Sequence, residues 1–290
     1  MKKKNSIIAL ICVALIVAVI ATVVVVKLIK ANAPRYYLDE SFSYLLEGNT
    51  YRITLNNKTL TSVEIPTTDP KYGLPITVIV GFRDSALTQI VIPEGITTLE
   101  PNAFNNCKDL ATVTFPSTLT TIGSYVFKGC ISLDHVLLPE GLTAISMNAF
   151  EGCSSLTDIV LPQSLTTIEI NAFKDCSMLS TLVIPNGVTS ILPNTFNGCS
   201  NLRYLTLPST LTTITGNAFR NCTGIDSINI PASVTNLYDD SFAGCTNLQH
   251  ITFEGTVAQW EAFGLTKGWH TDSNTLVKHI TCSDGVINLN

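Results

Sequence analysis

The residue types best able to do chemistry in this chain recur at a single interval. Cys107, Cys130, Cys153, Cys176, Cys199, Cys222 and Cys245 are each 23 residues from the next. Thiols can pair as disulfides, bind metals or act as nucleophiles. The same interval links Phe104, Phe127, Phe150, Phe173, Phe196, Phe219 and Phe242, and again Pro93, Pro116, Pro139, Pro162, Pro185, Pro208 and Pro231. A fixed period of this length is one supersecondary unit copied and stacked. Stacked units lie about 4.8 Å apart with equivalent side chains parallel. Parallel Cβ vectors keep neighbouring Cβ atoms near that distance, whereas a disulfide needs about 3.8 Å. The cysteines are also odd in number. They read as a buried ladder of free thiols acting as small hydrophobes, with some bridging at the ends as the alternative. A zinc site needs four converging ligands, and a linear ladder does not converge. His250, His270, His279 and Cys282 have no ligand spacing either. No metal and no cofactor is expected. The Phe ladder fills the interior.

The unit that positions these residues is short. In Pro116–Leu138 its tail, Leu133-x-x-Val136-x-Leu138, is a strand with Val136 and Leu138 pointing inward and His135 and Leu137 outward. Pro139 stops the strand because it has no N–H to donate. Leu142 to Ile145 is a second extended piece. Asn148-Ala149-Phe150-x-x-Cys153 suits a single helical or 3₁₀ turn with Asn148 as N-cap. Asn or Asp holds that position in six of the seven units, and Tyr125 is the exception.

This strand–Pro–strand–Phe-x-x-Cys unit resembles a leucine-rich repeat, and more narrowly the BspA-like class found on microbial surfaces. The residues that carry the likeness are the Leu-x-x-Ile-x-Ile-Pro strand and the Ala-Phe-x-Gly-Cys-x-x-Leu segment over 93–253. Gly73-Leu74-Pro75-Ile76-Thr77 at the entry and Gly255-Thr256-x-x-x-Trp260 with Cys282-x-Asp284-Gly285 at the exit add to it. The resemblance implies a β-rich repeat solenoid with short helical or 3₁₀ turns. One departure matters. Common leucine-rich repeats carry an Asn ladder after the strand, and this chain has Gly95, Thr118, Gly141, Ser164, Gly187, Thr210 and Ser233 there. The thiols or backbone turns must satisfy the inner carbonyls instead.

Five segments follow. Residues 1–30 are a cytoplasmic tail and transmembrane signal anchor, 31–59 a linker and N-terminal cap, 60–92 an irregular first repeat, 93–253 the seven regular repeats and 254–290 a C-terminal cap. Within the caps, Gly48-Asn49 reads as a turn, Tyr51–Leu55 as a strand and Thr275–Thr281 as a last strand, and Leu60–Ile65 reads as a strand opening the irregular first repeat. Trp260, Phe263, Leu265 and Trp269 cover the open end. Ile7–Val26 is a 20-residue run with Thr22 its only clearly polar member. As a helix it spans about 30 Å, the thickness of a bilayer's hydrocarbon core. One transmembrane helix is therefore expected, with membrane contact through residues 7–29. Lys2, Lys3 and Lys4 favour an inside N-terminus and repeats outside. Cleavage near Ala31-Asn32-Ala33 and secretion is the alternative, although Pro34 would hinder it.

Five of the 17 Lys and Arg fall in the first 30 residues, which hold no Asp or Glu. The remainder carries 12 basic against 22 acidic residues, a formal charge of −10. No cationic surface of any size follows, which excludes nucleic acid as a partner. No Gly-x-Ser-x-Gly, His-Glu-x-x-His or phosphate-binding glycine loop is present. His135 and Asp158 are candidate neighbours across adjacent units, but no nucleophile completes a triad and a repeat face offers little enclosure. The chain is read as a non-enzyme. The resemblance implies binding of an extracellular protein on the outer strand face, where the candidates are His135, Leu137, Asp158, Val160, Thr181, Val183, Tyr204 and Thr206. Ordinary β-branched filling of an exposed strand explains the same residues. A passive stalk or coat component is the competing function.

Overall fold

The computed structural model describes residues 36–266 and 276–289. The expected transmembrane helix and Trp269 lie outside the described residues. Among those described, no helix is long and apolar enough to cross a membrane.

The described residues open with an antiparallel meander, β1 (Tyr36–Leu38), β2 (Phe42–Glu47) and β3 (Thr50–Leu55), then β4 (Ile76–Gly81). Gly48 makes the β2–β3 turn at φ 63°, a conformation glycine adopts without Cβ strain. Each coil then contributes two strands. The first set is β5 (Gln89–Val91), β7 (Thr112–Thr114), β9 (His135–Leu137), β11 (Asp158–Val160), β13 (Thr181–Val183), β15 (Tyr204–Thr206), β17 (Ser227–Ile230) and β19 (His250–Phe253). The second is β6 (Thr98–Leu99), β8 (Thr121–Ile122), β10 (Ala144–Ile145), β12 (Thr167–Ile168), β14 (Ser190–Ile191), β16 (Thr213–Ile214) and β18 (Asn236–Leu237). Both sets stack in parallel with one coil pairing the next, as in Asp158 with His135 and Ile168 with Ile145, except that pairing is interrupted between β15 and β17 in the first set and between β12 and β14 in the second. The meander joins the second set through β3, β4 and β6. The result is a β-rich leucine-rich repeat solenoid.

The third side of each coil differs from expectation. It is neither helix nor 3₁₀ but a run of linked turns. Ala149, Glu151 and Cys153 donate their N–H groups three residues back, to Ser146, Asn148 and Phe150, each at 3.2 Å. The N–H groups between them reach the next coil: Asn148 to the Ile170 carbonyl at 3.1 Å, and Phe150 and Gly152 to Ala172 and Lys174 at 2.8 Å. Asn148 is therefore not an N-cap, which would be extended. It sits at φ 58°, in the left-handed region, as do Asn102, Asn171, Asn194 and Asn217 at the same repeat position. Asn tolerates that region because its short amide bonds locally. Tyr125, the exception in sequence, adopts φ 63° regardless.

The interior is a column of aromatic rings. Phe104, Phe127, Phe150, Phe173, Phe196, Phe219 and Phe242 are buried and stack on one another, with centroids 5.4 Å apart for Phe150 and Phe173 and planes 6° from parallel. Phe82 and Phe42 extend the column into the meander. At the far end the helix α1 (Val257–Glu261) is held by a capping box between Thr256 and Gln259, and it buries Trp260 against Phe253. Phe263 and Leu265 pack beside that end.

Two strand readings need correction. Leu60–Ile65 is not a strand. It meets the stack where Thr61 accepts from Thr88 N–H at 2.9 Å, then diverges from β5 and leaves an open groove. Pro66 has no donor to continue a ladder. The last strand is β20 (His279–Cys282), which is parallel to β19 and is followed by an antiparallel β21 (Gly285–Asn288) that the sequence reading missed.

The Phe column and the outward strand positions should respond oppositely to truncation. Phe173→Ala removes a fully buried ring and should cost about 3–5 kcal/mol in denaturant unfolding. Thr181→Ala on the exposed face should change stability by no more than about 0.5 kcal/mol. Equal losses in the two variants would defeat the burial assignment.

Candidate functional site

The cysteine ladder is a hydrogen-bonding device. Each Phe carbonyl in the turn segment accepts from the Cys N–H three residues on, as Phe104 does from Cys107 at 3.2 Å. Its second acceptor position takes the thiol of the next coil. Cys130 donates to Phe104 at 3.1 Å, Cys153 to Phe127 at 3.1 Å, and Cys176 to Phe150 at 3.1 Å. Cys199, Cys222 and Cys245 repeat the contact with Phe173, Phe196 and Phe219 at 3.2, 3.1 and 3.0 Å. Cys107 donates to Phe82 and also touches Ser85 Oγ. A carbonyl oxygen has two lone pairs, and both are used here.

These seven cysteines are free and buried, as is Cys282. Burial pushes their thiols up, Cys245 to about 12 and Cys130 well above its ordinary value. A protonated thiol is neither nucleophile nor metal ligand. Where an Asn ladder is lacking, hydroxyls contribute as well: Thr118, Ser164 and Ser233 donate to Ile96, Leu142 and Leu211 carbonyls one coil back. The threonine pairs of the second strand, read from sequence as a solvated surface, do similar work. Thr166 and Thr212 hydroxyls donate to Thr143 and Thr189 carbonyls at 3.1 and 3.0 Å.

The outer face of β9 to β15 carries the candidate binding residues in two adjacent columns. His135, Asp158, Thr181 and Tyr204 form one; Leu137, Val160, Val183 and Thr206 form the other. All eight are exposed, while Val136, Ile159 and Leu182 between them are buried. Leu137 is 69% exposed and Tyr204 71%, so the stripe is open apolar surface on a polar frame.

His135 and Asp158 do meet. His135 Nδ1 pairs with the Asp158 carboxylate, and Nε2 lies 3.0 Å from Asp134 Oδ1. With an acid at each nitrogen the imidazolium is favoured, and the Asp158 hydrogen bond is the largest reason its pKa is raised. Thr157 Oγ1 lies 3.3 Å from Nδ1, but that nitrogen is already committed to Asp158. The cluster sets one histidine between two acids on the exposed outer face.

Comparison with known proteins places the repeat. The family model for the BspA type leucine-rich repeat region matches in six copies, over residues 80–191 and 167–281. The chain belongs to this family. A solved leucine-rich repeat protein from Bacteroides ovatus shares 23% identity at a TM-score of 0.59, covering 85% of this chain and 76% of that one. That likeness concerns the fold. A leucine-rich repeat protein of T. pallidum aligns at 26% identity and TM-score 0.45, over 76% of this chain and 86% of its own. A leucine rich cell surface protein from Faecalibacterium prausnitzii aligns at 23% and 0.40, over 88% and 96%. No curated protein matches.

One region was missed from sequence. Between β15 and β17 the strand ladder is interrupted, and a polar cleft opens beside Tyr204, lined by Arg203, Asp226, Asn247 and Gln249. The available signal was Gly224, the only glycine in a column otherwise filled by Asp109, Ser132, Ser155, Met178, Asn201 and Asn247.

Two measurements check these assignments. A thiol reagent at neutral pH should label none of the seven ladder cysteines in the folded protein and all of them in denaturant. Labelling at native rates typical of free thiols would refute the buried ladder. By NMR titration His135 should show a pKa above the ordinary value of about 6.5, and Asp158→Asn should lower it. Because the folded pKa is the raised one, the pair's stabilising contribution is complete below the ordinary value and is lost as pH rises through the raised value.

Proposed function

We propose that this protein is a non-catalytic, surface-displayed binding module that recognises an extracellular protein through the outer face of β9 to β15. The observation that carries this reading is the exposed stripe of Leu137, Val160 and Val183, flanked by the His135–Asp158 pair and Tyr204. Isolated exposed apolar residues need no explanation, but adjacent ones on consecutive coils form a continuous patch of the kind that marks interaction sites. An exposed tyrosine at the patch edge suits an interface anchor. Membership of a family of BspA type repeats supports display at the cell surface. The apolar run within residues 7–29 supports an N-terminal anchor, with the N-terminus inside and the repeats outside.

The face makes the reading testable. The full-length chain in detergent should retain an extracellular protein partner on an affinity column. The Leu137→Glu/Val160→Glu/Val183→Glu variant should lose it with an unchanged melting temperature. Undiminished capture by that variant would remove the stripe as the site. Failure of the native protein to capture any partner would favour a passive stalk or coat role.

A further inference from the structure

The cleft between β15 and β17 has a specific structural origin. At other steps of this sheet the residue ahead of each strand donates its N–H one coil back: Thr157 to Asp134 at 2.9 Å, Ser180 to Thr157 at 3.1 Å, Arg203 to Ser180 at 3.0 Å and Gln249 to Asp226 at 2.9 Å. The corresponding bond from Asp226 N–H to the Arg203 carbonyl is missing among the described residues. Gly224 lies beside the interruption. A Cβ there would lie 2.8 Å from Leu202 O and from the Asn201 carbonyl carbon, so the coils are pinched together just ahead of the strands. Beyond the turn, β15 and β17 do not pair. Leu205 is consequently only half-buried, although its equivalents Ile159, Leu182 and Ile228 are buried.

The opening is a cleft of about 550 Å³, within the range of about 300–1,000 Å³ typical of small-ligand sites. We propose that it binds a neutral saccharide. Its lining matches that chemistry in three ways. The exposed Tyr204 ring offers a flat apolar face to the C–H face of a sugar ring. Arg203, Asn247 and Gln249 are planar donors or mixed donor–acceptors, and their side chains make no hydrogen bond to the described residues. Asp226 supplies an acceptor carboxylate and, with Arg203, a released backbone N–H and C=O. Vicinal hydroxyls both donate and accept, so they can use such a mixed set in pairs. The charges of Arg203 and Asp226 cancel, which favours neither an anion nor a cation. A purely apolar ligand would leave these groups unpaired at a cost. This site adjoins the protein-binding stripe and shares Tyr204 with it, while its polar groups lie on the far side of Tyr204 from Leu137 and Val160.

The test is saturation-transfer NMR on the full-length chain in a zwitterionic detergent, with methyl glycosides of glucose, galactose, mannose and N-acetylglucosamine at millimolar concentration. At least one should receive transfer. Tyr204→Ala, and separately Asn247→Ala/Gln249→Ala, should weaken its binding by about tenfold or more. Tyr238→Ala, which removes an exposed tyrosine outside the cleft, should leave it unchanged. These side chains are exposed, and unchanged melting temperatures would show that the variants fold. No transfer to any of the four sugars, binding indifferent to both cleft variants, or a preference for glucuronic acid or glucosamine over the neutral sugars would each overturn the proposal.

Discussion

Parallel registration of each coil on the next governs everything else in this molecule. It demands that inward polar groups find partners within their own turn or one period away, because a buried backbone group left unpaired is costly. The Phe carbonyl shows how tightly this works. One lone pair is taken by the Cys N–H of its own turn, the other by the Cys thiol of the following coil. A serine in place of that thiol would carry a more polar hydroxyl into the core, and an alanine would leave the second position empty. A thiol is apolar enough to be buried and still donates weakly. The cysteine repeat is therefore a consequence of stacking, and its protonated state removes it from chemistry.

The same constraint explains the left-handed residues. A coil of only 23 residues must turn repeatedly while every second N–H of the turn segment points along the stack. That alternation needs positive φ at two positions per coil, four residues apart, filled by pairs such as Asn148 with Gly152 and Asn194 with Gly198. Asn and Gly are the residues for which this region costs least. Reading Asn148 as a helix cap was reasonable from its type and place ahead of an apolar run. Whether a short Asn-led segment becomes a helical turn or a linked series of β-turns depends on where the next coil's carbonyls lie.

Function is left to the outward positions, where stacking makes no demand beyond solubility. Two consequences follow. Adjacent coils can place apolar residues side by side without disturbing the core, as with Leu137, Val160 and Val183. They can also bring charged residues together across a period, as with His135 and Asp158. Departures from the repeat are informative for the same reason. Gly224 departs from its column at the step where β15 and β17 do not pair, and Leu205 there is only half-buried.

The period, the inward and outward alternation of each strand, the Phe column and the free-thiol ladder were all legible in the sequence. Each follows from local residue type together with translation by a fixed interval. The columns of the outer face were legible too, since one period separates their members. Tertiary structure alone decided the rest. Leu60–Ile65 has strand-like composition but diverges from β5, because pairing depends on where the preceding meander places it. The final β21 needed β20 as a template. The cleft at β15 and β17 lies where two coils do not pair, a break that the nearby glycine does not by itself specify. Whether two strands pair is set by contacts summed over whole coils, and no single repeat of the sequence contains them.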